Sequence, residues 1–399
     1  MASAADARAQ RATQRGFVEA RAALYPQAAP SDPTRAVGDL LAREEVFAAP
    51  TPWLQLAGGL ALRGNTHDQV GARWAPDFWD RSARRPPWSI RQLSVTLHRG
   101  ALTIDLGKQF VRWGRTDIVT PTDRFAPRDF LNVVDNELLA VTGVRGTVEA
   151  GAETIDAVVV PRFTPSRMPL FAQRWGVTLP AAAGIRIVDN GARYPEGVQA
   201  GVRWSHAGSA VEYSLSYFDG FNHLPNIDVR VPIVPGALVL TRVYPHIRSL
   251  GADAAIPTRW FTVKVESAYF ASPDRQADEY VLYVVELERL AGEWVLAGGY
   301  AGEAIVERRV EPGFAPDRGL ARALVGRASY TIDVNRSAAV EGAVRQDGDG
   351  AYLRLEYSQA RGAHWRATLG GSLVAGRDGD FLGQYRRNAH VSLALRYSF

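Results

Sequence analysis

The densest chemistry in the chain lies between residues 112 and 129, where Arg112, Arg115, Arg124 and Arg128 alternate with Asp117, Asp123 and Asp129. Guanidinium groups grip carboxylates and phosphates through paired N–H donors. Opposed charges across a narrow wet passage also impose a transverse field on whatever crosses it. Pro121 and Pro127 stiffen the same segment, which lowers the entropy cost of holding it in one conformation. These seven charged residues are therefore expected to form a pore constriction. The plainer reading is a loop folded by its own ion pairs.

Other chemistries find little support. The seven histidines are scattered, at 67, 98, 206, 223, 246, 364 and 390. No two of them sit at metal-ligand spacing on one strand or helix, so no metal site and no cofactor is expected. Without cysteine there is no thiol nucleophile and no disulfide framework. Asp333 and Ser337, close in sequence, lack a third partner for a triad. Gly298-Gly299 and Gly370-Gly371 are not followed by helices, so they do not cradle phosphate. The chain is expected not to be an enzyme. Its 46 basic residues are interspersed with 42 acidic ones, a pattern unlike the basic tracts that hold nucleic acid.

What positions the charged segment is a set of period-2 elements. In Ala389–Phe399, Val391, Leu393, Leu395, Tyr397 and Phe399 share one face, and His390, Ser392, Ala394, Arg396 and Ser398 share the other. The alternation recurs at Leu54–Arg63, Val198–Trp204, Val211–Tyr217, Phe261–Tyr269 and Leu353–Ser358. Segments of about 10 residues match a tilted strand that crosses a bilayer. A mean hydropathy of -0.14 fits too, since only every second residue meets lipid. Tight turns fall at 98–100, 149–153, 205–209, 256–259, 290–293, 333–336 and 360–364. Between them lie the longer links 65–87, 113–137, 164–196, 219–246, 271–279, 307–319, 345–351 and 375–387. Short turns alternating with long loops mark outer-membrane barrels. Trp204, Trp294 and Trp365 stand beside short turns on the apolar face, as an interfacial belt requires.

The count from Trp53 to Phe399 gives an all-β, antiparallel transmembrane barrel of about sixteen strands. It becomes eighteen if Ile233–Tyr244 also crosses, although that stretch reads better as a hairpin within a long external loop. The alternation slips at Ile90-Arg91, as at a bulge. The polar face is expected to line the lumen, with Arg63, Arg145, Arg203, Glu212, Lys264, Glu266, Arg327, Arg354 and Arg396 as its charged members. On the lipid side each Arg or Lys would cost about 2–4 kcal/mol at mid-membrane.

Residues 1–52 read differently. Ala4–Leu24 is rich in Ala and Arg, with Phe17, Ala20 and Leu24 at helical spacing. Asp32 offers an N-cap before Pro33, and Val37, Leu40, Leu41 and Phe47 form a stripe. The expectation is a helical extension serving as a plug or, through residues 4–47, as a dock for a periplasmic transport partner. Met1-Ala2-Ser3-Ala4-Ala5 lacks the basic and apolar regions of a secretory signal. Ala2-Ser3-Ala4 reads as the remnant of a cleavage site in a mature or re-engineered form.

The stretch from Gly107-Lys108-Gln109 through Trp113-Gly114, Pro121-Thr122-Asp123 and Pro127-Arg128-Asp129 resembles porin-like outer-membrane families of Gram-negative bacteria. These families are largely of unknown function, and some of their members are similar to alginate-export porins. The resemblance is strong over this stretch and extends elsewhere only as the barrel pattern. It implies an outer-membrane channel and leaves the substrate open. The ending Tyr397-Ser398-Phe399 looks like the signal that such barrels present to the assembly machinery, with Tyr397 and Phe399 as its aromatics. The function expected is passage of small polar or anionic solutes, or export of a polymer or lipid. The alternative is a plugged or partner-binding barrel within a larger envelope complex.

Overall fold

In the computed structural model, residues 12–176, 186–230, 237–310, 314–346 and 349–399 are described. Eighteen antiparallel strands form one closed sheet. The seam joins Ala12–Leu24 to His390–Ser398, with Phe17 opposite Ser398 and Leu24 opposite Val391. Closure leaves no edge, so every strand's backbone groups find partners within the wall, the condition for crossing hydrocarbon.

The strands run in chain order around the barrel. From the seam, Ala12–Leu24 pairs with Ala36–Thr51, then come Leu54–Asn65, Trp88–Arg99, Leu102–Gln109, Val141–Ala150 and Glu153–Val160. Gln199–Ala207, Glu212–Phe221, His246–Pro257, Thr262–Ala271, Glu279–Ala291 and Trp294–Glu307 follow. The remainder are Ala323–Asp333, Arg336–Arg345, Gly350–Arg361, Trp365–Gly376 and His390–Ser398.

The period-2 pattern fixes which face meets lipid. Leu393 is 57% exposed on the outside, while its neighbour Ser392 is buried. Leu56, Leu60, Leu62, Leu215, Leu353 and Leu355 are likewise turned outward. At one end the strands are joined by turns of two to four residues, such as 100–101, 151–152 and 258–261. At the other end the links are seven residues or longer, 346–349 excepted. Aromatic pairs stand on the outer wall at the short-turn end: Trp204 with Tyr213, Trp294 with Tyr330 and Trp365 with Tyr397, at centroid distances of 5.5, 4.6 and 5.0 Å. Rings with a polar tip suit the membrane boundary.

Two expectations are corrected. The barrel has eighteen strands and not sixteen, and the extra pair comes from the N-terminal segment, which is wall and not a helical extension. Val37, Leu40, Leu41 and Phe47 do not share a stripe. Leu40 is exposed on the outside, and Phe47 lies on the inner side, beneath the guanidinium of Arg15. Asp32 caps a turn by accepting from Thr34 N at 2.9 Å, with no helix behind it. Ala12–Leu24 and Ala36–Thr51 are thus strands of the barrel wall. Residues 1–11, with Ala2-Ser3-Ala4 and the start of the expected helix, lie outside the described residues.

Within Ile233–Tyr244, residues 233–236 lie outside the described residues, and the rest does not cross. The described part forms the strand Ala237–Val243, which pairs with Arg186–Arg193 and Asn226–Arg230 in a separate three-stranded sheet. The slip at Ile90-Arg91 is a bulge: Gly59 pairs with Gln92 but Leu60 with Ile90. It turns Arg91 into the lumen, where it reaches Glu137 at 2.9 Å.

Candidate functional site

The loop 110–140 folds into the lumen and is fastened to opposite walls. Its first limb docks on Glu266, a fully buried side chain of the strand Thr262–Ala271. One carboxylate oxygen accepts from Arg115 N, Thr116 N and Thr116 Oγ1 at 2.8, 2.9 and 2.8 Å. The other accepts from Thr122 N and Thr122 Oγ1, both at 2.8 Å. A buried carboxylate is tolerated when donors fill its lone pairs. Asp123 closes the limb by accepting from Trp113 N and Gly114 N at 2.6 Å. Arg115 reaches Asp253 at 2.6 Å and Glu212 at 2.8 Å, and Arg203 shares Asp253.

Apolar contacts seat the same limb. Trp113, Phe125 and Phe218 stack edge to face, with successive centroids 5.1 Å apart. Gly201 makes this possible, since a Cβ there would lie 2.8 Å from the Trp113 ring and 2.9 Å from Phe125. Asp117, Glu286 and Glu288 converge closely enough to hold a metal ion. The Lys264 ammonium already stands among them, 3.1, 3.5 and 2.6 Å away.

The second limb spans to the far wall. Glu137 meets Arg43, Arg63 and Arg91 at 3.1, 2.9 and 2.9 Å. Asp135 bridges Arg21 and Arg354. Burial alone would raise these two carboxyls; the surrounding guanidinium groups outweigh it and hold both down at about 2. Asp129 is buried between Arg85 and Arg167 and lies well below the carboxylate range for the same reason. It ties the loop to its neighbours.

Several cavities border the loop. The upper one, about 420 Å³, carries Arg124, Arg128 and Arg327 with Asp117, Asp123, Asp317 and Glu341. The central one, about 700 Å³, is lined by Arg21, Arg43, Arg91, Arg128, Arg354 and Arg396 against Glu19, Asp135, Glu137 and Glu356. Arg128, Val134, Asn136 and Arg354 belong to both and form the neck between them. A mouth chamber of about 410 Å³ shares Phe110 with the central cavity.

Arg124, Arg128 and Arg327 have no carboxylate ion-pair partner among the described residues, whereas Arg354 is paired with Asp135. Arg128 donates to Asn136 Oδ1 at 2.9 Å. Burial, with Arg112 and Arg124 close by, lowers it below the ordinary guanidinium value. Arg124 lies over the Phe270 ring at 4.8 Å. Arg112 is half exposed and 3.4 Å from Asp123. Arg327 has no side-chain partner among the described residues.

Among the residues singled out in the sequence, Arg112, Arg115, Asp117, Asp123, Arg124, Arg128 and Asp129 all lie on this loop, with the separate duties just given. Of the lumen set, Arg63, Arg203, Glu212, Lys264, Glu266 and Arg354 touch the loop or share a carboxylate with it. Arg145 pairs with Asp156 at 2.6 Å, and Arg396 pairs with Glu19 at 2.7 Å over the ring of Phe17. Tyr397 faces outward, and Phe399 exchanges two backbone bonds of 3.0 Å with Gly16 at the seam. Sequence reasoning missed Glu19, Arg21 and Arg43, assigned to helices, and Asn136. The signal for the first group was present: Arg15, Glu19 and Arg21 keep to odd positions of one strand.

Fold and lumen together define a transmembrane barrel of the porin type. It resembles OpdQ of Pseudomonas aeruginosa, with a TM-score of 0.54 at 9% identity over 98% of both chains. OccAB4 of Acinetobacter baumannii gives 0.56 at 9% identity over 98% of this chain and 99% of that one. A BenF-like porin of Pseudomonas fluorescens gives 0.56 at 9% identity over 98% and 97%. At such identity the likeness is one of fold. No family model and no curated protein matches the sequence.

Proposed function

We propose that the protein is a passive channel of the bacterial outer membrane that favours small anionic solutes. The observation that carries this reading is the neck at Arg128, Asn136 and Arg354, where Arg128 donates to a neutral amide and opens on a central cavity lined by six arginines against four carboxylates. An anion crossing there exchanges water for guanidinium donors without breaking an existing ion pair at Arg128. The loop across the lumen argues for small solutes in preference to a polymer of the kind an alginate-export porin would pass. One solved barrel of the same fold is named a BenF-like porin, which supports the channel part of this reading.

The test is the reversal potential across a planar bilayer under a KCl gradient. The wild-type protein should favour chloride. Replacing Arg112, Arg124 and Arg128 with Gln should move the potential toward the cation side. A potential unchanged by the triple replacement would refute the constriction role. A plugged barrel is the second reading. It is favoured by the packing of Phe130, Trp175, Leu224, Phe314 and Tyr385 from several long loops, and it predicts no steady conductance.

A further inference from the structure

The mouth chamber differs in chemistry from the cavity it adjoins. Its inward side chains include Thr13, Gln55, Gln92, Ser94 and Thr96. The Gln55 amide and the Thr13 hydroxyl have no side-chain hydrogen-bond partner among the described residues, and Gln92 has only a long contact to Ser94 at 3.4 Å. Its ionic groups are already engaged: Arg145 is bound by Asp156 at 2.6 Å, and Asp105 accepts from Thr96 at 2.5 Å. Phe110 stands at the boundary between the two cavities.

Amides and hydroxyls both donate and accept, so together they match the hydroxyl group, which does the same. An alkyl chain passing them would remove their water and return nothing. A permeant whose acidic end is held in the central cavity beside Arg91, whose guanidinium lies 5.6 Å from the Phe110 ring, would place its remainder against this chamber. We propose that the chamber is a hydroxyl subsite, and that the anion this channel prefers is a hydroxylated carboxylate of the aldonate, aldarate or uronate kind. The inference rests on the channel reading above and adds the permeant class.

The experiment compares uptake into proteoliposomes of glucarate, adipate and sorbitol, with protein-free liposomes as the blank. Glucarate and adipate share carbon skeleton and charge and differ only in hydroxyls; sorbitol keeps the hydroxyls without the charge. Glucarate should enter faster than adipate. The Gln55→Leu, Gln92→Leu double variant should lower the glucarate-to-adipate ratio about fivefold, the worth of roughly one hydrogen bond. Its KCl conductance and its gel shift on heating should stay unchanged, showing an intact barrel. A wild-type ratio of one or less, or a ratio the double variant does not move, overturns the subsite and leaves the anion channel standing. Sorbitol entering as fast as glucarate, with no chloride preference in the bilayer, overturns both.

Discussion

Glu266 holds Thr116 through one carboxylate oxygen and Thr122 through the other. One wall side chain thereby closes the two ends of a turn in the lumenal loop. In Glu266→Gln one oxygen becomes an NH₂ group, which faces donors and cannot accept from them. Hydrogen bonds to charged groups are worth about 1.5–3 kcal/mol each, so the turn should detach from the wall while the barrel stays closed. Single-channel recording should show higher mean conductance and greater current noise. Wild-type traces from this variant would mean that the other anchors suffice.

A second prediction concerns the seam. A Cβ on Gly16 would lie 2.6 Å from the Phe399 ring and 2.2 Å from Glu44 Oε2. Gly16→Val should therefore impair closure, seen as loss of the heat-dependent gel shift. Phe399→Ala removes one of the two obstructions and should restore part of it. Deleting Phe399 alone should harm assembly in cells more than refolding in detergent, if the terminal aromatic is read by the assembly machinery. Equal harm in both settings would make it a packing residue.

The phase of the strands can be tested by charge. Leu393 lies on the outer face and Ser392 on the inner one. Leu393→Arg should cost about 2–4 kcal/mol if it lies near the membrane midplane, and it should suppress insertion. Ser392→Arg should insert normally. Equal insertion of the two variants would place both side chains in water.

Much of this wall was legible because lipid-facing leucines alternate with polar partners, as in Val391 to Phe399. The two N-terminal strands were not, for a physical reason. Their outer faces rely on alanine at Ala20, Ala22, Ala42 and Ala48, a residue that favours helices. Leu41 and Phe47 turn inward under cover of the lumen's own packing, which blurs the alternation. The seven charged residues of the loop stood out by composition. Their partners did not: Glu266 lies 144 to 151 positions from the groups it binds, and local spacing carries no record of such a contact. Arg91 escaped because a bulge reversed its side.

The last prediction follows from protonation. His223 is buried, with Nδ1 2.6 Å from the Thr164 carbonyl and Nε2 2.8 Å from that of Arg124. The neutral ring carries one N–H and donates to one of these two carbonyls, and its burial between them packs the lumenal loop against the start of a neighbouring one. Burial, aided by the charge of Arg124, pushes its pKa down to about 4 from the ordinary 6.5. A histidine shifted down binds its proton more readily once released. Stability of the pinned state is complete above pH 6.5 and falls as pH drops toward 4. Asp135 and Glu137, held at about 2 against ordinary values of 3.8 and 4.5, act in the same direction at lower pH. Their ion pairs contribute fully above pH 4.5 and are lost as pH falls through 2. Acidification should thus loosen the loop in two stages while the barrel persists. Current noise should rise first between pH 6.5 and 4, then again below 4.5. In His223→Gln the first stage should disappear and the second remain. A first stage that survives this replacement would assign it to another group.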